Sequence, residues 1–448
     1  AEAARVEPQA YMNPILLKPR KDTSSEIVLL GKVCDMPCDK NYYRGFTMTK
    51  GLETLREALS IIDAKYEVMV CEGAGSHAEV NLNAAEIVNM RVANEADIPV
   101  ILVADVDRGG AIASVVGTLE LLGKDRERVR GIIFNKFRGD ISLFEDAVKF
   151  TEEKTGVKVV GVMPWLQDVV IEGEDIMSIN WMRGKESTSA EKIRIGVVKF
   201  PRVSNHTDIE PFRFESDVEI VELVSPQQVA SVDAVILPGT KSTILDTKYL
   251  RDSGLAKAIR AHYNNGGTVY GLCGGYQMMG EIIDDSKLRD NDKIPYIEGL
   301  RLLPTITTFG EEKTTIRRSG RVIHPKFKDW TPVEGYEIHF GETTMLHEAA
   351  GFSPLFEIDG KTDGLADAEL RAAGSYLHNA FHNDIFRTQW LNGIRKRRGL
   401  PEGEVISTAE AKDAAYNALA AEAKRNLDID YIINEIMHLT KEPEGAAK

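Results

Sequence analysis

Cysteine is scarce in this chain: 448 residues carry four, Cys34, Cys38, Cys71 and Cys273, too few for the disulfide framework of a secreted domain. Cys34 and Cys38 stand in CxxxC spacing, but no second Cys/His pair follows to close a zinc site. Long apolar runs are lacking as well. No stretch reaches the roughly 18 uninterrupted apolar residues that a membrane span needs, and the opening AEAARVE has no signal-peptide core. A cytoplasmic location without a membrane partner is expected. Positive charge is outweighed, with 55 Lys+Arg against 69 Asp+Glu for a net charge of −14; such a surface repels a phosphate backbone and argues against nucleic acid as a partner. An initiator Met is missing too, and Ala1 reads as mid-helix, which points to an N-terminally shortened chain.

What is present is the ordinary balance of a soluble globular protein, 43% hydrophobic and 28% charged, over a length that accommodates two or three cores. Apolar β-branched runs recur between helical stretches at residues 66–71 (YEVMVC), 99–105 (PVILVAD), 129–135 (VRGIIFN) and 157–163 (VKVVGVM). This rhythm predicts βαβ units around a parallel sheet buried on both faces. Polar and small residues over 183–192 (RGKESTSAEK) read as a linker, and a second alternation follows at 194–199, 218–224, 234–238 and 268–271. Residues 408–427 and 429–439 read as helices and 441–448 as a frayed tail. The expected fold class is therefore α/β, in two domains with mainly parallel sheets.

The sharpest local signal follows the strand at 268–271. There the chain reads Gly271-Leu-Cys-Gly-Gly-Tyr-Gln277, with Cys273 centred between glycines. A nucleophile on a tight strand-to-helix turn sits in strained backbone, and neighbouring glycines let adjacent chain pass close by. The helix that follows favours a thiolate and offers backbone N–H groups to a developing oxyanion, the first of them from Gly274. A thiolate needs a base or ion-pair partner. Among nine histidines, His378 in GSYLHNAF is the best placed, with His339 and His382 as competitors on chemistry. The sequence Gly239-Thr-Lys-Ser-Thr243 has a superficial phosphate-loop look, but Thr240 stands where a Walker A loop requires Gly before Lys241. No Walker A loop occurs elsewhere in the chain.

These residues resemble the class I glutamine amidotransferase domain, over roughly residues 193–390, with residues 271–276 as its nucleophile motif and Tyr376-Leu-His378 as its histidine motif. Most members follow that histidine with Pro and then a Glu that orients the imidazole. Here Asn379 and Ala380 follow. The departure resembles the cobyrinate-amidating subgroup, which works with a Cys–His dyad, so a backbone carbonyl or another group must hold His378. Residues 237–240 (LPGT) resemble the second oxyanion element, with N–H of Gly239 or Thr240 facing Gly274.

Three elements of the amino-terminal half end successive strands: Cys71-Glu-Gly-Ala-Gly-Ser-His77, Ala104-Asp-Val-Asp-Arg-Gly-Gly110 and Phe134-Asn-Lys-Phe-Arg-Gly-Asp140. Carboxylates at strand C-termini suit Mg²⁺ held against phosphates in the crevice of an open α/β sheet, with Glu72 and Asp105 as candidates. Asn135 can read a purine edge, and Arg108, Lys136 and Arg138 can meet phosphate or carboxylate. In this order the elements resemble the dethiobiotin-synthetase-like, P-loop-type ATP-binding domain, and more closely that of the cobyric acid synthase family. The closer match is carried by residues 2–18, 71–82, 105–122, 201–208 (PRVSNHTD) and 335–343 (GYEIHFGET).

The resemblance implies domains at 1–185 (ATP-dependent synthetase), 193–390 (glutamine amidotransferase) and 391–448 (helical extension). It implies ATP and Mg²⁺ as cofactors, and glutamine and a corrinoid as substrates. The reaction implied is amidation of the b, d, e and g carboxylates of adenosylcobyrinic acid a,c-diamide to adenosylcobyric acid. In that family a strand and P-loop precede the counterpart of Glu2 and are not in this sequence, so truncation is expected. The alternatives are cobyrinic acid a,c-diamide synthase, or a glutaminase or corrinoid-binding protein with an inactive synthetase half.

Overall fold

The computed structural model describes residues 1–21, 24–38, 42–76, 78, 86–166, 169, 171, 192–291, 293–327, 331–346 and 349–438. The linker expected over 183–192, save Lys192, and the tail over 441–448 lie outside them. The chain divides into two compact units, Ala1–Val169 with Asp413–Lys448, and Val170–Lys412. Residues 413–438 thus group with the first unit, where the expected division had one helical extension over 391–448.

The first unit opens on a turn at residues 2–5, with Arg5 N–H bonded to Glu2 O at 2.9 Å, not on a helix. Arg5 has φ 55°, which a right-handed helix cannot contain. Three antiparallel strands follow, β1 (Ile15–Lys21), β2 (Ser24–Leu29) and β3 (Lys32–Cys38). Leu30 and Gly31 both take positive φ between β2 and β3, the turn that matches strand twist in a two-residue hairpin. The parallel sheet comprises β4 (Val100–Asp105), β5 (Val129–Phe137) and β6 (Lys158–Pro164). Helices Ala111–Leu121 and Glu145–Thr155 connect them as the β-branched rhythm predicted. Ile132 and Phe134 on β5 are fully buried in their core.

Residues 66–71 depart from expectation. They form no strand, and Val70 is 91% exposed. Alternating β-branched residues favour a pleated, half-buried surface, but a strand also needs a ladder partner; among the described residues β4 is an edge strand that pairs with β5 alone. The C-terminal helix Ile429–His438 packs on this unit, where Tyr431 OH donates to Arg130 O at 2.8 Å.

The second unit is built on an 11-stranded mixed sheet. Its parallel part runs β8 (Val218–Leu223), β7 (Ile193–Val198), β9 (Ala234–Leu237), β10 (Thr268–Leu272) and β17 (Ala372–Ser375). The remainder is largely antiparallel: β11 (Ile282–Asp284), β12 (Tyr296–Glu298), β13 (Thr305–Val322), β14 (Pro332–Met345), β15 (Phe352–Ile358) and β16 (Lys361–Asp367). The parallel strands read as continuous apolar runs because both faces are covered: Ile195, Ile236 and Tyr270 serve one core, Val198, Val235 and Val269 the other. Among the described residues no helix is long and apolar enough to cross a membrane.

Candidate active site

Three adjacent parallel strands deliver the site. Leu272 of β10 pairs with Ser375 of β17, and Gly271 of β10 pairs with Leu237 of β9. Residues just past these ends, Cys273, His378 and Gly239-Thr240, are therefore neighbours at the carboxyl edge of the sheet, where open α/β sheets place ligands. The Cys273 N–H donates to Ser375 O at 2.9 Å, which ties the elbow to the histidine strand.

The elbow is as strained as its sequence implied. Cys273 has φ 50° and ψ −106°, outside the allowed regions for an L residue, and helix Gly274–Met279 begins at the next residue. Glycine at 275 has a packing reason: a Cβ there would lie 1.9 Å from Leu237 O. A Cβ at Gly274 would lie 3.3 Å from Thr240 N, so the Gly274 and Thr240 backbones approach closely. Cys273 is 7% exposed, and its Sγ lies 3.5 Å from Ile338 O on β14.

The structure separates the three histidine candidates. His339 bonds Gly341 O through Nδ1 at 3.0 Å and stacks on Tyr376, while His382 donates from Nε2 to Thr207 O at 2.9 Å. His378, 1% exposed, is the one that meets the Cys273 thiol. Its Nδ1 lies 2.7 Å from Asp208 Oδ2, and the other oxygen of Asp208 accepts the Asn379 N–H at 2.7 Å. Tyr336 stacks on the imidazole at 5.0 Å between centroids and 16° between planes. Burial pushes the His378 pKa down, but Asp208 and the Cys273 sulfur outweigh it and the net shift is up, to about 10. His378 is thus an imidazolium through neutral pH, set between a carboxylate and a sulfur.

Asp208 was not singled out from sequence. Its segment, residues 201–208, stood out only as a run of family-like residues, and that was the one signal available. The same segment fixes the loop after β9: Ser204 N–H donates to Gly239 O at 2.8 Å and Lys241 N–H to Arg202 O at 2.9 Å. Asn205 Nδ2 donates to Tyr336 OH at 2.7 Å. The phosphate-loop lookalike is also explained. Asp290 accepts from Ser242 Oγ, Thr243 N and Ile244 N at 2.8, 2.8 and 2.9 Å, so a carboxylate already occupies that helix N-terminus.

In the first unit the structure brings Asp105 and Asn135 together and leaves Glu72 apart. Asp105 and Asn135 are register partners at the ends of β4 and β5. Lys136 Nζ bonds Asp105 at 2.8 Å and holds its carboxyl below the usual carboxylate range. Arg108 lies 3.7 Å from Asp105, and Arg138 pairs with Asp107 at 2.7 Å while lying over the Trp165 ring. Glu72 sits exposed in the irregular chain after residue 66, and no described hydrogen bond or ion pair joins it to Asp105. Among the described residues no three His, Cys, Asp or Glu side chains gather as a metal centre. Asp105, at the end of β4, is a carboxylate of the kind that can hold a cation whose other ligands come from phosphate and water.

Residues 194–386 match the family model of the CobB/CobQ-like glutamine amidotransferase domain, and residues 8–172 match that of an AAA domain. Cobyric acid synthase of Geobacillus kaustophilus (strain HTA426) is 40% identical over 439 residues, 96% of this chain and 85% of the relative. The chain belongs to the cobyric acid synthase family. The cobyric acid synthases of Geobacillus thermodenitrificans (strain NG80-2) and Nostoc punctiforme (strain ATCC 29133 / PCC 73102) are 41% and 40% identical, each over 438 residues and 96% of this chain, and over 85% and 87% of their own lengths. As a cobyric acid synthase family member the chain combines a glutamine amidotransferase domain with a nucleotide-binding AAA domain, and these correspond to the two units of the fold.

Proposed function

We propose that the second unit hydrolyses glutamine at Cys273, and that the ammonia amidates the b, d, e and g carboxylates of adenosylcobyrinic acid a,c-diamide to give adenosylcobyric acid. The observation that supports this most directly is the strained Cys273 beside the His378 imidazolium. A thiolate–imidazolium pair is the nucleophile that amide cleavage needs.

The sulfur attacks the side-chain amide carbon of glutamine, and the carbonyl π electrons move to oxygen. N–H groups of Gly274 and of Gly239 or Thr240 are proposed to stabilise that oxyanion, each worth about 10²–10³ in rate. His378 gives its proton to the amide nitrogen, the C–N bond breaks and ammonia leaves. The neutral imidazole then takes a proton from water as it attacks the thioester, glutamate departs and the thiol is restored.

ATP bound with Mg²⁺ in the first unit would supply a phosphoryl group to the acceptor carboxylate, which ammonia would displace as phosphate to leave the amide. Asp105 is proposed to hold the cation, with Glu72 the weaker candidate because it stands apart. Asn135 is proposed to read the purine edge, and Lys136, Arg108 and Arg138 to offset the charge of phosphate meeting carboxylate. Glutamate release by wild type and by Cys273→Ala tests the glutaminase reading. A fall in the variant to the uncatalysed background is expected; equal rates overturn it. Supplying each corrinoid acid in turn tests the acceptor, and product from cobyrinic acid alone would favour a,c-diamide synthesis.

A further inference from the structure

We propose that Asp208 is a positioning residue of the glutaminase site, taking the place of the glutamate that usually follows the histidine in class I domains. The inference rests on the glutaminase reading above. Position 380 is Ala, so no carboxylate can come from the usual place. The carboxylate arrives instead from 170 residues upstream, 2.7 Å from His378 Nδ1, with both side chains 1% exposed.

Both Asp208 oxygens are engaged, one by His378 Nδ1 and one by the Asn379 N–H, so the carboxylate has one pose. A carboxylate only accepts, so Nδ1 must donate to it. When the imidazole is neutral its proton therefore stays on Nδ1, and Nε2 keeps the lone pair that must take a proton from the thiol or from water. The short helix His206–Phe214 carries Asp208, and Glu215 at its end is locked by ion pairs to Arg387 and Arg395 at 2.9 and 3.2 Å. Through Ser204 and Asn205 the same segment is referenced to Gly239 and to the ring stacked on His378. Its placement is thus set against the two groups the chemistry requires.

The full chain carrying Asp208→Asn tests this. The Asn carbonyl retains the Asn379 N–H and turns its NH₂ toward Nδ1, which must then accept; the imidazole proton moves to Nε2, the wrong nitrogen. We expect kcat for glutamate release to fall by about 10²–10⁴, with KM for glutamine changed by less than about threefold. The groups facing His378 are Asp208, Cys273 and Tyr336. Loss of the Asp208 charge lowers the His378 pKa from about 10, so the alkaline limb of kcat/KM and the pH profile of Cys273 alkylation by iodoacetamide should both move to lower pH. Asp208→Glu should recover part of the rate.

Wild-type kcat in Asp208→Asn overturns the proposal, and so does a slow variant whose alkylation profile stays unshifted, because that is a structural role only. If Asp208→Asn fails to fold, Asp208→Ser, which also removes the charge, decides in the same way: its alkylation profile should move to lower pH, and an unshifted profile overturns the proposal. A wild type that releases no glutamate overturns the glutaminase reading instead, while the alkylation profiles still report on Asp208.

Discussion

Replacing Gly275 by alanine tests the elbow directly. The added Cβ would lie 1.9 Å from Leu237 O, 2.6 Å from Leu237 C and 2.8 Å from Leu237 Cβ. The nearest obstacles are backbone atoms of a central strand, which cannot swing aside as the end of a flexible side chain does. Helix Gly274–Met279 and β9 must separate by at least about 1.5 Å to restore ordinary contact. Overpacking costs about 1–3 kcal/mol, and a backbone obstacle puts this case near ~3 kcal/mol, or a fall of roughly 6–12 °C in the thermal midpoint of a unit this size. Because β9 leads into Gly239-Thr240 and the helix begins at Gly274, the same movement parts the proposed oxyanion donors. A misplacement of about 1 Å can cost about 100-fold in rate, so glutamate release per enzyme should fall by that order even where the variant stays folded. Gly117→Ala is the control: it lies within helix Ala111–Leu121, and its Cβ would meet nothing within 4 Å. Alanine there should leave the rate unchanged and add up to about 1 kcal/mol of stability. A Gly275→Ala variant with wild-type rate and midpoint would refute the reasoning.

Two further outcomes follow from buried charge. Burial, reinforced by Glu337, pushes the Asp363 pKa up from 3.8 to about 6. The stability tied to its protonation is therefore complete below pH 3.8 and lost as pH rises through about 6; Asp363→Asn should gain on wild type in thermal midpoint across that window and hold the gain at pH 7, and a difference that does not vary with pH would contradict this. Arg387, fully buried, bonds Glu215, Asp384, Phe381 O, Ile406 O and Thr408 Oγ1. Arg387→Met breaks this network and should cost about 3–5 kcal/mol, and Arg387→Lys should recover little because an ammonium cannot reproduce the planar fork; midpoints within 1–2 °C of wild type, less than about 1 kcal/mol, would count against both.

Much of the second unit was legible because its signals are local. Strands β7 to β10 announce themselves as short apolar runs, and the Cys273 elbow needs glycines at fixed offsets. Other features depend on partners far away in sequence. Residues 66–71 have the composition of a strand, yet composition cannot supply a neighbour to pair with. Asp208 is an ordinary carboxylate in a polar run until the fold sets it against His378. The long β13–β14 hairpin was missed because its exposed polar residues, such as Arg317 and Glu334, break the apolar rhythm by which parallel strands are recognised. Glu72 and Asp105 follow similar strand-like runs, but only Asp105 ends a strand that forms.

The first unit closes with residues from both ends of the chain. Gly161 on β6 forms a β-bridge with Leu427, and a Cβ at Gly161 would lie 2.1 Å from Asn426 O, so the C-terminal segment lies directly on the sheet. On the ribosome that segment is made after the whole of Val170–Lys412. At about 5–20 residues per second, the nascent first unit waits roughly ten seconds to a minute with that face of β6 uncovered, while the second unit can already fold behind it. Order of completion thus runs opposite to order in sequence: the unit encoded second is the first able to be finished, and the unit encoded first is completed only once the segment that follows Lys412 has been made.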